Sequence, residues 1–409
     1  MLFRRVVITG MGVVSPFGRG IESMMNALLA GKSGVVEVPS LAEITGMRTR
    51  VAALATGVDP MEIPRKFRRS MSSMSIFATL ACQDAAAMAG LTDTELQSGR
   101  LGVSLGSTVG SLQTMQEFFR DFSLDNSLER MKSTLFFHIM NHSCASNVAQ
   151  ALGITGRILA PAAACSTSCH AVGYAAEMIG IGKQDFMLCG GADEFHPLTS
   201  GTFDIINAAS TAFNDSPSST PRPFDRDRDG IVCGEGSGVL LLESLESAER
   251  RGATILAEIT GFATNSDPGS IANPDPRCIA DCMRQALDDA QVGAEQIDYV
   301  NAHATATVQG DIAECEAISS VFGSATPVSS LKGHLGHAMA ASGTLELAAC
   351  IEMLRQGLLI PTLNLDHVDP LCANVKHLDG VTKSPVETVI KNNFALGGIN
   401  SSIILRRFQ

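Results

Sequence analysis

Short β-branched runs alternate with long alanine-rich stretches along most of this chain. A layered α/β protein requires that alternation, with extended runs to build a sheet and helical crossovers to cover it. In the first 250 residues the strand signals are "RRVVITG" (4–10), "RLGVSLG" (100–106) and "DFMLCGG" (185–191), and the helical ones span roughly 66–89, 137–151 and 166–181. The last is apolar almost all round, which predicts burial rather than an amphipathic surface helix. The remaining residues repeat the alternation, with strands at 255–263 and 298–304, helices at 277–290 and 311–321, a strand at "VSS", a helix over 337–355, and two closing strands around "NNFALGGINSSIILRR". Ile279, Met283 and Leu287 recur every four residues, a helical core stripe. Two α/β runs of similar make-up suggest an internal duplication, with halves at 1–250 and 251–409. The Ser-, Pro-, Asp- and Arg-rich residues 209–236 read as an ordered polar connection between them.

At 409 residues and 45% hydrophobic content the chain can bury an extensive core. No run approaches eighteen apolar residues, so no membrane span is expected. The N-terminal "VVITGMGVV" is too short and glycine-broken for a signal peptide and reads as a first strand and turn. Eleven cysteines, an odd number scattered singly through apolar segments, form no secreted disulfide framework and point to a reducing cytoplasm. A net charge of −12 argues against nucleic acid or an anionic membrane as the main partner. It leaves room for an acidic protein that docks on a local basic patch.

Residues 160–179, "APAAACSTSCHAVGYAAEMI", place Cys165, Cys169 and His170 within six positions. A c-type haem needs Cys-x-x-Cys-His, and the spacing here is one residue too long. Zinc needs three or four ligands, usually in loops, and no partner cluster lies nearby in sequence, so no metal is expected. Core filling suits Cys169. For Cys165 two readings stay open, a packed thiol and a nucleophile. It follows "PAAA", small enough for a sharp strand-to-helix turn, and precedes "STS", which can satisfy the N–H groups of a first helical turn. A thiol there feels the positive end of the helix dipole, which favours the thiolate. Among nine histidines, His138, His142, His196, His367 and His377 read as structure or surface. His303 in "VNAHATATVQGD" ends an apolar strand, where loops carry catalytic groups. His334 and His337 lie in "SSLKGHLGHAMAASGTLELA", one of them structural.

Taken in order, "RRVVITGMGVVSPFG", "GSTVGS", "AACSTS", "RPFDRDRDGIVCGEGSGVLLLE", "NAHATATVQGD", "KGHLGHAMAASGTLE" and "NNFALGGINSSI" resemble the motifs of type II β-ketoacyl-acyl-carrier-protein (ACP) synthases, elongating condensing enzymes of the thiolase-like superfamily. The resemblance covers essentially the whole chain. It implies duplicated βαβαβ halves in a five-layered α/β/α/β/α fold, the first half carrying the nucleophile and the second both histidines. It makes Cys165 the acyl-accepting residue, with His303 and His337 the catalytic histidines. His337 is preferred to His334 because it lies five residues after Lys332. Lys332 matches the structural lysine, with Glu314 as its carboxylate partner. The backbones of Cys165 and Leu396 would form the oxyanion hole, with Phe394 and Leu396 in the gating loop. Thr305 and Thr307 would hold the pantetheine arm, and Val109 would bound the acyl pocket. The implied reaction is decarboxylative condensation of malonyl-ACP with an acyl group from acyl-ACP. No cofactor is required beyond the phosphopantetheine on the carrier. A structural monovalent cation beside Asn301, Glu346 and Asn392 is implied by the resemblance alone.

Arg65, Lys66, Arg68 and Arg69 in "PRKFRRS" match the segment that docks the acidic carrier, with Arg130 and Lys132 as weaker candidates. The chain departs from the family pattern at Leu396 in place of an aromatic gate, at Ala304 in "HAT", at Ile399 and at Val109. Those changes bear on pocket volume and loop control, hence on acyl specificity. They keep a second pathway in view: an aryl-polyene or type II polyketide ketosynthase. The expected assembly is a homodimer or a heterodimer with a chain-length-factor-like subunit. A non-catalytic chain-length factor is disfavoured by the retained Cys165, His303, Lys332 and His337. A degradative thiolase is disfavoured because it uses a Cys/His/Cys pattern.

Overall fold

The structure, a computed structural model, describes residues 3–408. The first half contributes strands β1 (Val6–Ser15), β2 (Leu101–Gly106), β3 (Ile158–Leu159), β4 (Phe186–Asp193) and β5 (Gly236–Ser244). The second contributes β6 (Ala257–Ser266), β7 (Tyr299–Asn301), β8 (Pro327–Ser329), β9 (Thr388–Ala395) and β10 (Ile399–Arg406). In space the first set runs β1-β5-β4-β2-β3 and the second β6-β10-β9-β7-β8. The order is the same in both. In each, the second strand pairs in parallel with the third and fourth, while the fifth lies antiparallel between the fourth and the first. Three residues of β1, Val6–Ile8, pair antiparallel with Ala257–Ile259 of β6 and join the two sheets into one ladder.

Helices cover the sheets in the expected layers. α1 (Ser73–Met88) and α2 (Ser143–Leu152) pack outside the first sheet, and α4 (Pro276–Ala290) and α5 (Val308–Phe322) outside the second. Between the sheets lie α3 (Thr167–Gly180) and α6 (Ser342–Gln356), giving the thiolase-like five-layered fold. Glu177 is the one exposed residue of α3, as its all-round apolar pattern requires. Ile279, Met283 and Leu287 of α4 are buried against the second sheet. The glycines of "VVITGMGVV" let α1 lie directly on β1: a Cβ at Gly10 or Gly12 would fall 2.1 or 1.9 Å from the carbonyl oxygens of Ala85 and Ala81. No helix among the described residues is long and apolar enough to cross a membrane.

Four sequence expectations are corrected. The helix read over 66–89 is two pieces, Arg65–Arg68 and Ser73–Met88. Asn147 ends the first by donating to the Ser70 carbonyl at 2.9 Å while its own oxygen accepts from the Ser70 hydroxyl at 2.7 Å. The run 137–151 likewise splits into Ser133–His138 and Ser143–Leu152. The last long helix starts at Ser342, five residues later than expected, after a 3₁₀ turn. Finally, residues 209–236 lead directly into β5 and so lie inside the first half. Asp225 ties them down, accepting from the backbone N–H groups of Asp227, Asp366 and His367 at 2.8–2.9 Å.

Candidate active site

Cys165 sits in a 3₁₀ turn, Ala164–Ser166, that leads into α3. Ala164 has φ 45°, a left-handed conformation that an alanine holds only when its surroundings impose it. Those surroundings are the ends of β9 and β10. Asn393 donates to the Cys165 carbonyl at 2.8 Å, and the Ser166 hydroxyl donates to the Asn393 carbonyl at 2.9 Å. Thr167 closes the turn by accepting from Ala163 N–H at 2.8 Å. The small residues of "PAAA" leave room for this braced elbow.

The second half brings the bases to it. His337 Nε2 lies 2.9 Å from Cys165 Sγ, and the His303 ring stands edge-on to His337 with centroids 5.4 Å apart. The sulfur and one nitrogen of each ring all lie within 4.8 Å of one another. Such a set could ligate a soft ion such as zinc, which would block the thiol. Glu314 on α5 holds the His303 loop: one carboxylate oxygen accepts from His303 N–H at 2.8 Å, the other from Ala304 N–H at 2.7 Å. Lys332 is not its partner, since both Glu314 oxygens are engaged by backbone. Lys332 Nζ instead pairs with Glu346 of α6 at 2.7 Å, and Lys391 Nζ lies 2.8 Å from the second Glu346 oxygen.

Burial dominates the electrostatics. It pushes the Cys165 thiol up to about 11, against the opposing pull of the Lys332 charge and of the Leu396 and Cys165 N–H groups, which point at the sulfur. The thiolate expected from the helix dipole is therefore not the resting form, because desolvation of the sulfur outweighs it. His303 and His337 are held well below 6.5, first by burial and then by the Lys332 charge, with Lys391 adding to both and His337 acting on His303. The resting centre is a neutral thiol facing two neutral imidazoles.

A cavity of about 400 Å³ opens onto this cluster. Thr305 and Thr307 line it with their hydroxyls 3.3 Å apart, and Phe394 and Leu396 line the opposite loop. Phe203, Ile206, Ile231 and Ile271 supply apolar wall.

The chain matches two family models over most of its length: Beta-ketoacyl synthase, N-terminal domain, at residues 3–248, and its C-terminal domain at 256–366. It belongs to the β-ketoacyl synthase family. A crystal structure of a β-ketoacyl synthase from Burkholderia phymatum superposes with a TM-score of 0.96 at 42% identity, covering 99% of this chain and all of that one. The 3-oxoacyl-[acyl-carrier-protein] synthase 2 of Vibrio cholerae is 37% identical over 99% of each chain. The tetracenomycin polyketide synthase ketoacyl synthase alpha subunit of Streptomyces glaucescens is 34% identical over 99% of this chain and 97% of its own.

Within this β-ketoacyl synthase the structure gathers Cys165, His303, His337, Glu314, Thr305, Thr307, Phe394 and Leu396 at one cavity, with Lys332 beneath it. Val109 is not there: it is 42% exposed, on a segment that a single chain leaves facing outward. Of the basic run, Arg65, Lys66 and Arg69 are exposed and make no ion pair among the described residues. Arg68 donates to the Pro60 and Ile63 carbonyls and is spent on its own loop. Arg130 and Lys132 lean towards Asp125 and Glu117. His334 bonds the Lys32 and Pro361 carbonyls, the structural role foreseen for one of the pair. Sequence reading missed Asn393, which braces the elbow, and Lys391. A lysine inside the apolar strand "TVIKNNFA" was the available signal for the latter.

Proposed function

We propose that Cys165 takes an acyl group from acyl-ACP and that the loaded enzyme condenses it with malonyl-ACP, giving a β-ketoacyl-ACP two carbons longer. The 2.9 Å contact between Cys165 Sγ and His337 Nε2, at the head of a cavity shared with His303, carries this reading. The thiol proton passes to His337 as sulfur attacks the thioester carbon, and the carrier's thiol leaves with a proton. The N–H groups of Cys165 and Leu396 stabilise the oxyanion, each such donor being worth roughly 10²–10³ in rate. Malonyl-ACP then loses carbon dioxide. His303 and His337, neutral and desolvated, donate to the enolate oxygen, and the enolate carbon attacks the acyl-cysteine and expels the Cys165 thiolate, which is reprotonated.

The carrier's pantetheine arm runs past Thr305 and Thr307, and its acidic body docks on Arg65, Lys66 and Arg69, with Arg68 holding that loop. The cytoplasm suits the eleven free cysteines. A second subunit, identical or chain-length-factor-like, closes over residues 109–138, where Val109, Phe119, Phe122 and Phe136 are exposed. That outward-facing wall, the Leu396 gate and the Streptomyces relative support a second reading, a polyketide-type ketosynthase. One experiment tests both. The pure protein is incubated with a panel of acyl-ACPs, the adduct is located by intact and peptide mass spectrometry, and malonyl-ACP is then added. Acyl transfer to Cys165 followed by a β-ketoacyl product is expected, with the preferred chain separating the two pathways. A chain that loads no donor on Cys165 would sink both.

A further inference from the structure

Glu346 is one buried carboxylate shared by two ammonium groups. Lys332 Nζ lies 2.7 Å from Oε1 and Lys391 Nζ 2.8 Å from Oε2, and none of the three side chains is more than 1% exposed. A buried lysine is tolerated when paired, and Lys332 alone would neutralise Glu346. Lys391 is therefore one charge more than a pair needs. It sits mid-strand on β9 and also donates to the Asn392 carbonyl.

The family resemblance implies a monovalent cation beside Asn301, Glu346 and Asn392. The residues present do not fit one. Both Glu346 oxygens face ammonium groups, the Asn392 carbonyl is taken by Lys391, and Asn392 Oδ1 accepts from the Ser402 hydroxyl at 2.8 Å. Asn301 Oδ1 and Glu346 Oε2 are the two buried oxygens here that accept no hydrogen bond, but Glu346 Oε2 is covered by the Lys391 ammonium at 2.8 Å and Asn301 pairs in strand register with Lys391 itself. An inorganic cation there would meet an ammonium instead of open oxygens.

We propose that Lys391 is a built-in cation: its ammonium takes the place of a bound monovalent ion and maintains a second positive charge, beside that of Lys332, beneath Cys165, His303 and His337, whatever salt surrounds the protein. Lys391 touches no reacting atom and is a positioning residue. Its field reaches both imidazoles, and by occupying half of Glu346 it leaves the Lys332 charge only partly neutralised. A Lys391→Ser change would open a space edged by Glu346, Asn301 and Asn392 oxygens, suited to a dehydrated alkali ion.

The test compares the full-length wild type, Lys391→Ser and Lys391→Met in potassium, sodium and tetramethylammonium chloride at equal ionic strength, reading thermal midpoint and condensation rate. The wild type is expected to be indifferent to the cation. Lys391→Ser should lose activity in tetramethylammonium and regain about tenfold with a small alkali ion, saturably and with a rise in midpoint. Lys391→Met, which fills the space with apolar atoms, should not be rescued. A saturable alkali-ion requirement in the wild type overturns the proposal, as does a Lys391→Ser variant with no salt response. Should Lys391→Ser fail to fold, wild-type crystals grown in rubidium decide: no anomalous peak at Glu346 is expected, and a peak there refutes the proposal. The rate readout rests on the condensing reaction proposed above. The midpoint and the diffraction do not, so failure of that reaction leaves this test standing.

Discussion

Burial sets how reactive Cys165 is before any substrate arrives. Its thiol is held near 11 against an ordinary 9.0, a difference of two units. At pH 8 about one thiol in a thousand is then ionised, against about one in ten for an unperturbed thiol, so alkylation is slowed about a hundredfold. The assay is iodoacetamide labelling from about pH 6.5 to about 9.5, with the peptide carrying residues 160–179 followed by mass spectrometry. The logarithm of the rate constant should climb with unit slope across the whole range and show no inflection. Lys332→Met should be slower still at every pH, because the Lys332 charge is the largest influence pulling the thiol back down. A rate that levels off by pH 8 would refute the reasoning. It would mean a preformed thiolate–imidazolium pair and a site far better solvated than the 6% exposure of Cys165 allows.

Three further outcomes are expected. Glu314→Gln keeps one acceptor but turns an amide N–H against a backbone N–H. It should cost about 1–3 kcal/mol in a thermal melt and lower kcat through a displaced His303. His337→Ala should slow acyl loading, whereas His303→Ala should load normally and fail at decarboxylation. The losses should be roughly 10²–10⁴-fold, and separate measurements of Cys165 acylation and carbon dioxide release distinguish them. Reversing Arg65, Lys66 and Arg69 to Glu should raise KM for acyl-ACP and leave KM for a short pantetheine thioester unchanged, with the difference shrinking as salt rises.

How much of this was legible in the sequence depended on whether the signal was local. Periodicity found α3 and α4, because a helix buried on one face or on all faces writes that fact into consecutive residues. Cys165, His303 and His337 were found by motif, because each lies at a strand end or turn with its own local requirement. Pairings across the fold were not legible. Nothing local says that Glu314 turns to the His303 loop rather than to Lys332, or that Glu346, fourteen residues after Lys332, takes two lysines. Val109 lies outside the cavity and is exposed, and only the second subunit proposed above would cover it. The break between Arg68 and Ser73 depends on Asn147, from a helix seventy-odd residues away.

The duplication also explains why the site is lopsided. Each central helix begins with a 3₁₀ turn whose first residue has positive φ, Ala164 at 45° before α3 and Met339 at 47° before α6. The two elbows pack against each other in the middle layer. The residue after the strained position is Cys165 in one and Ala340 in the other. Ala340 carries no chemistry, and its N–H donates at 2.8 Å to Asp193 at the end of β4. At the corresponding end of β9 the chain presents no carboxylate; it goes on to Leu396, whose N–H points at the Cys165 sulfur. One copy of the turn thus has its amide tied down, while the other keeps its amide directed at the Cys165 sulfur, where the proposed reaction would place an oxyanion. The tied elbow would still serve the proposed reaction. His337 lies three residues before Ala340, and anchoring that turn to Asp193 keeps its imidazole 2.9 Å from the Cys165 sulfur of the other half.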